Sequence, residues 1–216
     1  MKAKKSPPVS LPEYRLIWSV IHSVRLAIGE DSGRACLFYN TIAACILERT
    51  FRIPARPLMG VALVRVHDPS ASVLTFADRN AASGGLVSSS DAFHCWVETE
   101  GYVLDFTAPT YREELLLSGQ SLPIPRKMFQ REKSTAAASP EEITREGDFM
   151  VLPNPELTNL MIQRATKSLA IGDLAEVCLS WLKRPPKKTP AMFHMQDDRG
   201  ERFEMQLASL RLEGAW

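Results

Sequence analysis

The sequence has 216 residues, is 45% hydrophobic and 24% charged, and carries a formal net charge of +1. These values predict one globular domain over residues 1–216 and give no reason to expect a nucleic-acid partner. No apolar run approaches the roughly 20 residues that cross a bilayer, and the basic N-terminal segment lacks the apolar core of a signal peptide, so we expect a cytoplasmic protein without a membrane partner.

Two helices are predicted in the first quarter of the chain. The first covers residues 12–28, where His22 is expected to be a packed or surface residue, and its apolar positions recur at helical spacing: Ile17, Val20, Ile21, Val24 and Ile28. A turn-and-cap cluster at 31–33 then starts a second helix, from near Cys36 to about residue 49. Cys36 lies in its first turn, where free N–H groups and the helix dipole favour a thiolate. Cys45 lies on its apolar stripe and is expected in the core.

Strand-like sequence follows at 56–66 and 73–77, and then a loop from residue 78 to 91 that is flexible by composition. This loop leads into His94, so it either flanks a substrate cleft or is an ordinary surface loop. Residues 93–107 read as a hairpin that turns at Glu100 and Gly101. With a two-residue turn, His94 and Asp105 are diagonal neighbours on one face, roughly 7 Å apart at Cβ.

The rest of the chain shows no recognisable site. After Tyr111 the pattern is helical, and residues 130–149 suggest a partly mobile connection because they are charged and rich in Ala and Ser. Helices are predicted at 155–170 and 173–183, with Cys178 in the core, and a last hairpin joins 192–196 to 202–207. His194 on that hairpin has no obvious carboxylate partner in the sequence.

Cys36, His94 and Asp105 are the parts of a thiol nucleophile system, in which a histidine moves the proton and a carboxylate orients the imidazole. The residues alone leave a second interpretation open, with an unreactive Cys36 and a structural pair of His94 and Asp105. Cys95 is predicted on the opposite face, so a metal site that combines it with its neighbours is disfavoured. The four cysteines form no Cys-x-x-Cys pair, which argues against structural zinc and predicts free thiols. Two further residues are predicted on the His94 face. Trp96 either shields the pair or packs in the core, and Glu98 is expected to be a solvated strand residue.

Four segments resemble the transglutaminase-like superfamily in order and rough spacing, over about residues 32 to 109. They are the segment around Cys36, then Ile53-Pro54-Ala55-Arg56, then His94-Cys95-Trp96-Val97-Glu98, and finally Asp105-Phe106-Thr107. The superfamily pattern has a cysteine at a helix start, I-P-A-R entering a strand, H-x-W-V-E on a strand and a closing D-P-T. Two positions depart from it. Phe106 stands where proline is usual, and Arg52 stands where a glycine usually precedes I-P-A-R.

This resemblance implies an α+β fold with a papain-like core, in which the nucleophile helix packs on an antiparallel sheet. Residues 123–216 would add C-terminal helices and a hairpin. It also implies Cys36 as nucleophile, His94 as acid and base, and Asp105 as the orienting carboxylate. The substrate would be a peptide, a protein or a small amide or acyl compound, cleaved by hydrolysis or acyl transfer without metal or cofactor.

Two alternatives remain beside this interpretation. The first is a binding or scaffold protein that keeps the fold without catalysis. The second is an arylamine N-acetyltransferase-like enzyme, because the sequence also resembles that family in having Asn40 four residues after Cys36. The glutamate that the acetyltransferase pattern has two residues after the cysteine is Phe38 here.

Overall fold

The computed structural model describes residues 6–29, 35–80, 85–117, 119–167 and 169–216. The predicted cap cluster at 31–33 lies outside the described residues. Helix α1 covers Leu11–Ala27 and begins with a capping box, in which the Ser10 and Glu13 side chains bond reciprocally to each other's main-chain N–H groups. Helix α2 covers Ala35–Ile46 and continues into a π-helical turn at Leu47–Phe51. The two predicted helices are therefore confirmed, with a π-helical turn at the end of the second.

The main sheet has six antiparallel strands around a long central strand, β1, which covers Ala55–His67. Strands β2 (Ser72–Phe76), β5 (His94–Thr99) and β8 (Phe149–Pro153) all pair with β1. Strand β6 (Tyr102–Asp105) pairs with β5, and β7 (Phe129–Glu132) pairs with β6. The fold is therefore a mixed α+β architecture with a curled antiparallel sheet and several helices.

Helices cover this sheet. Helices α1 and α2 pack with α5 (Leu169–Trp181) in the largest apolar cluster, which also contains Val97 of β5 and Leu104 of β6. The neighbouring positions Trp96 and Val103 belong to a second cluster, together with residues from β7, β8 and α3 (Tyr111–Leu117). Helix α4 (Pro155–Lys167) packs on β1. The predicted C-terminal helices and hairpin are present, the latter as β9 (Met192–Gln196) and β10 (Arg202–Gln206).

Two predictions about loops were wrong. Residues 130–149 contain most of β7 and the start of β8, where Gln130 and Phe149 are buried. Gln130 is held there by its amide, which bonds both the N–H and the C=O of Val9 across 121 residues of sequence. In the predicted loop at 78–91, strands β3 (Asp78–Asn80) and β4 (Gly85–Val87) form a short ladder.

Two side-chain predictions also need correction. Cys45 is only half-buried, because it shares a helix face with the half-buried Thr41 and the exposed Arg49. His194 does face a carboxylate, since the register of β9 and β10 pairs it with Glu204, and Nδ1 of His194 lies 3.8 Å from Oε2 of Glu204. Within the described ranges, no helix is long and apolar enough to cross a membrane.

Candidate active site

The ends of one helix and two strands meet at one end of the paired strands β5 and β6. Cys36 is the second residue of α2, His94 is the first of β5, and Asp105 is the last of β6. Because β5 and β6 are antiparallel, the start of one lies beside the end of the other. Their observed register begins with the pair of Thr99 and Tyr102 beside the turn. From there it continues along both strands as the sequence predicts. The hairpin thus places the histidine and the aspartate beside each other.

His94 and Asp105 form a buried hydrogen-bonded pair. Nε2 of His94 lies 2.7 Å from Oδ2 of Asp105, and each residue is 2% exposed. The other ring nitrogen, Nδ1, is buried and makes no hydrogen bond of good geometry with any described residue. The Cys36 side chain interacts electrostatically with this imidazole. One nitrogen of His94 is therefore occupied by the carboxylate and the other is available for proton transfer.

The environment favours the charged form of both residues. Burial lowers the pKa of His94, but the charge and hydrogen bond of Asp105, aided by Cys36, outweigh burial and raise it to about 10. Burial likewise raises the pKa of Asp105, yet the charge of His94 and hydrogen bonds from His94, Tyr111 and Asn40 hold that pKa below its usual value. Both shifts favour the charged pair, an imidazolium beside a carboxylate.

Four donors surround the Asp105 carboxylate. Oδ1 accepts from Nδ2 of Asn40 at 2.9 Å and from the main-chain N–H of Thr107 at 2.7 Å. Oδ2 accepts from His94 and from the Tyr111 hydroxyl. A carboxylate has about four lone-pair sites, so this one is saturated. Its position and ionised state are therefore fixed from three elements, α2, β5 and α3, and from the turn after β6.

Asn40 links the cysteine helix to this carboxylate. It is fully buried on α2, one turn after Cys36. Its Nδ2 lies within hydrogen-bond distance of the carbonyls of Cys36 and Cys95, as well as of Asp105 and Thr107. Sequence reasoning noted Asn40 only as a feature of a resemblance and gave it no role. The signal that marks it is an amide in the otherwise apolar run of α2.

Aromatic rings enclose the imidazole. Phe76 of β2 stacks on His94 with ring centroids 4.2 Å apart, and the Tyr111 ring lies 6.3 Å away. Sequence reasoning missed both residues. Trp96 is buried in the apolar cluster that also contains Tyr111. Glu98 was predicted to be solvated, but its side chain is only 12% exposed because it forms ion pairs with Arg56 and Lys133.

The cysteines differ in their surroundings. Cys36 is half-buried against an apolar cluster formed by Leu37, Met59, Cys95, Leu157 and Met161. Cys178 is fully buried, as predicted, Cys95 is also fully buried, and burial raises the pKa of each thiol. Burial also raises the pKa of the half-buried Cys45. Cys36 thus combines partial exposure, a helix start and a neighbouring imidazole, the three properties that a nucleophilic thiol needs.

The site shows no arrangement typical of a metal centre. Within the described part of the chain, no three or more side chains of His, Cys, Asp or Glu are grouped so that they could hold one ion.

Comparison with known proteins gives a family and a solved relative. A family model, described as a protein of unknown function (DUF2026), matches residues 10–216. A crystal structure of a genomics target is similar over 99% of this chain and 100% of its own, with 30% sequence identity and a TM-score of 0.85. No curated protein matches the chain.

Proposed function

The chain belongs to the DUF2026 family, and we propose that it is a thiol-dependent enzyme that acts on an amide or acyl bond through Cys36, His94 and Asp105. The observation that carries this proposal is the buried bond between Nε2 of His94 and Asp105, which leaves Nδ1 as the imidazole nitrogen on which Cys36 can act. A purely structural histidine normally pairs both ring nitrogens when it is buried.

The reaction begins with attack by Sγ of Cys36 on the substrate carbonyl carbon. A C–S bond forms while the carbonyl π electrons move to oxygen. When the tetrahedral adduct collapses, the bond to the leaving group breaks and Nδ1 of His94 gives that group its proton. The product of this half-reaction is a thioester on Cys36. Nδ1 then takes a proton from water, or from an acceptor amine, as that molecule attacks the thioester and releases the thiolate.

The remaining groups support these steps. Asp105 holds the Nε2–H and stabilises the imidazolium, so that proton transfer occurs at Nδ1 alone. The first N–H groups of an α-helix have no partners within the helix, and Cys36 is the second residue of α2. These N–H groups provide donors, together with the positive end of the helix dipole, for the oxyanion that forms beside Cys36.

We also propose that the core is papain-like, of the transglutaminase-like type. The support is the packing of α2, which carries Cys36, against β5 of the antiparallel sheet. A second support is the conformation of Arg52, with φ of 62° and ψ of 33° directly before the I-P-A-R segment. This left-handed conformation suits glycine, the residue that the superfamily pattern has there.

The test is the rate at which iodoacetamide alkylates Cys36 at pH 7, followed by peptide mass spectrometry. Because an imidazolium beside the thiol favours the reactive thiolate, we expect His94→Ala to slow alkylation at least tenfold. His22→Ala is the matched control. His22 lies on α1 and hydrogen-bonds Tyr39 of α2, the helix that carries Cys36, but it is not part of the proposed triad. Equal alkylation rates in the wild type and His94→Ala would contradict the proposal and favour a non-catalytic binding protein.

A substrate screen completes the test. Amide, ester and thioester compounds and peptides are offered to the wild type and to Cys36→Ala. We expect that any turnover disappears in Cys36→Ala, since no thioester can form. Turnover that persists in this variant would exclude Cys36 as the nucleophile.

A further inference from the structure

Tyr111 shares one carboxylate oxygen with His94. Its hydroxyl donates to Oδ2 of Asp105, the same atom that accepts from Nε2 of His94. The residue is 1% exposed at the start of α3, six positions after Asp105. Its ring contacts Phe76, and Phe76 stacks on His94, the other donor to that oxygen. The hydroxyl therefore has a fixed direction toward Oδ2.

The Tyr111 hydroxyl is the donor in its bond to Oδ2 of Asp105. Burial, followed by the negative charge of Asp105, raises the pKa of this phenol well above its usual value. The group therefore neither takes a proton from His94 nor gives one up. Its effect on the site is that of a hydrogen-bond donor to the Asp105 carboxylate.

We propose that Tyr111 is a positioning residue for His94. Its hydrogen bond to Oδ2 of Asp105 weakens the hydrogen bond between that oxygen and the Nε2–H of His94. A hydrogen bond to an oxyanion withdraws negative charge from it, so a second donor makes the oxygen a weaker partner for the first. The inference rests on the proposed function, in which His94 must release a proton as well as bind one.

The chemical reason for such a device lies in the strength of the ion pair. An imidazolium that is stabilised too strongly keeps its proton and is a poor acid for the leaving group, because efficient acid–base catalysis needs a pKa near the working pH. The Asp105 carboxylate raises the pKa of His94. The Tyr111 hydrogen bond opposes this effect while keeping the carboxylate oriented toward Nε2.

The titratable groups that act on His94 come from three neighbouring elements. They are Asp105 at the end of β6, Cys36 at the start of α2 and Tyr111 on α3, while β2 contributes the uncharged Phe76. Tyr14 of α1 also bonds Asp105, but its hydroxyl donates to the main-chain carbonyl and not to the carboxylate. Tyr14 is therefore a matched control for Tyr111.

The test is the pKa of the His94 imidazole, measured by NMR in a Cys36→Ala background. Removing the Cys36 thiol makes the result independent of the chemistry of that residue. We expect Tyr111→Phe to raise the His94 pKa by about one unit, a tenfold change in proton affinity. We expect Tyr14→Phe to change it by less than a third of that amount.

A second variant keeps the side chain in place. Fluorotyrosine at position 111 has a more acidic hydroxyl, which donates a stronger hydrogen bond, so the His94 pKa should fall. An unchanged pKa in both Tyr111 variants, or equal shifts in Tyr111→Phe and Tyr14→Phe, would overturn the inference. The iodoacetamide experiment tests the proposed function separately, because it measures Cys36 in the protein with Tyr111 intact.

Discussion

The main-chain N–H of Phe106 donates a 2.9 Å hydrogen bond to Oδ1 of Asn40. Phe106 is the position at which the transglutaminase-like pattern has proline, a residue without an N–H group. In this chain the N–H is used, because it completes the set of bonds by which Asn40 joins α2 to the end of β6. The departure from the pattern and the buried amide on α2 therefore belong to one local arrangement.

Phe106→Pro should destabilise the protein, because it leaves Oδ1 of Asn40 buried without a donor. An unsatisfied buried polar group costs about 1–3 kcal/mol. The proline ring itself adds little strain to Asp105, which is already in a strand. The measurement is the free energy of unfolding in urea. Phe106→Leu is the control, since it loses the stack on Tyr14, at 4.4 Å between centroids, but keeps the N–H. Equal losses in both variants would show that the ring alone matters.

Arg52→Gly should stabilise the protein by about 1 kcal/mol. Arg52 has a left-handed conformation with φ of 62° after the π-helical turn, and a residue with a Cβ is strained there while glycine is not. The measurement is the shift of the urea midpoint. Arg52→Ala is the control, because it removes the long side chain and keeps the Cβ, so it should give no such gain. A stabilisation of the same size in both variants would assign the effect to the guanidinium.

The sequence predicts the hairpin that carries His94 and Asp105 much better than it predicts the residues that support this pair. The pairing of β5 with β6 depends on a local turn, in which Gly101 has a φ of 85°, and on the alternation of side chains between the two faces of a strand. The proximity of His94 and Asp105 can therefore be predicted from residues 93–107 alone. Asn40 reaches Asp105 across 65 residues of sequence. No local sequence pattern predicts such a contact.

The same reason explains the error at β7. Its Ala- and Ser-rich surroundings resemble a mobile segment, yet Phe129 and Gln130 are buried because strand β6 and the segment before α1 provide their partners. Tyr111 is a comparable case, since a tyrosine at the start of a helix is an ordinary residue until the fold places Asp105 beside its hydroxyl. Tertiary contacts decide these positions, and single-residue propensities do not record them.

Gly60→Ala should be strongly destabilising and should also disturb His94. A Cβ at Gly60 would overlap the carbonyl oxygen of Leu152 and come within 3.0 Å of the main-chain nitrogen of Asn154, so β1 and β8 would have to separate. Overpacking of this kind costs about 1–3 kcal/mol or more. Gly60 is paired with His94 in the β1–β5 register, so the displacement reaches the site.

The matched control for Gly60→Ala is Gly172→Ala. Gly172 lies in α5 with no atom within 4 Å of an added Cβ, and replacing a helical glycine by alanine stabilises by about 0.5–1 kcal/mol. The two substitutions should therefore have opposite signs in urea unfolding. A neutral Gly60→Ala variant with unchanged alkylation of Cys36 would show that β8 can move without affecting the site.

The stability of the protein should depend on pH through the pair of His94 and Asp105. The pKa of His94 is raised from 6.5 in the unfolded chain to about 10 in the native state, so the native state binds more protons between these values. The stability that His94 contributes is therefore complete below pH 6.5 and is lost as the pH rises toward 10. The pKa of Asp105 is lowered from 3.8, so its contribution is present above pH 3.8 and is lost at lower pH.

The measurement for this linkage is the free energy of unfolding from pH 6 to pH 10, in the wild type and in His94→Gln. Glutamine keeps a side-chain amide that can donate to Asp105 but carries no charge and does not titrate. The decline in stability over this range should therefore be smaller in His94→Gln than in the wild type, because the native state of the variant no longer holds the extra proton. Parallel pH profiles in the two proteins would mean that His94 is neutral in the native state, and the ion pair would have to be abandoned.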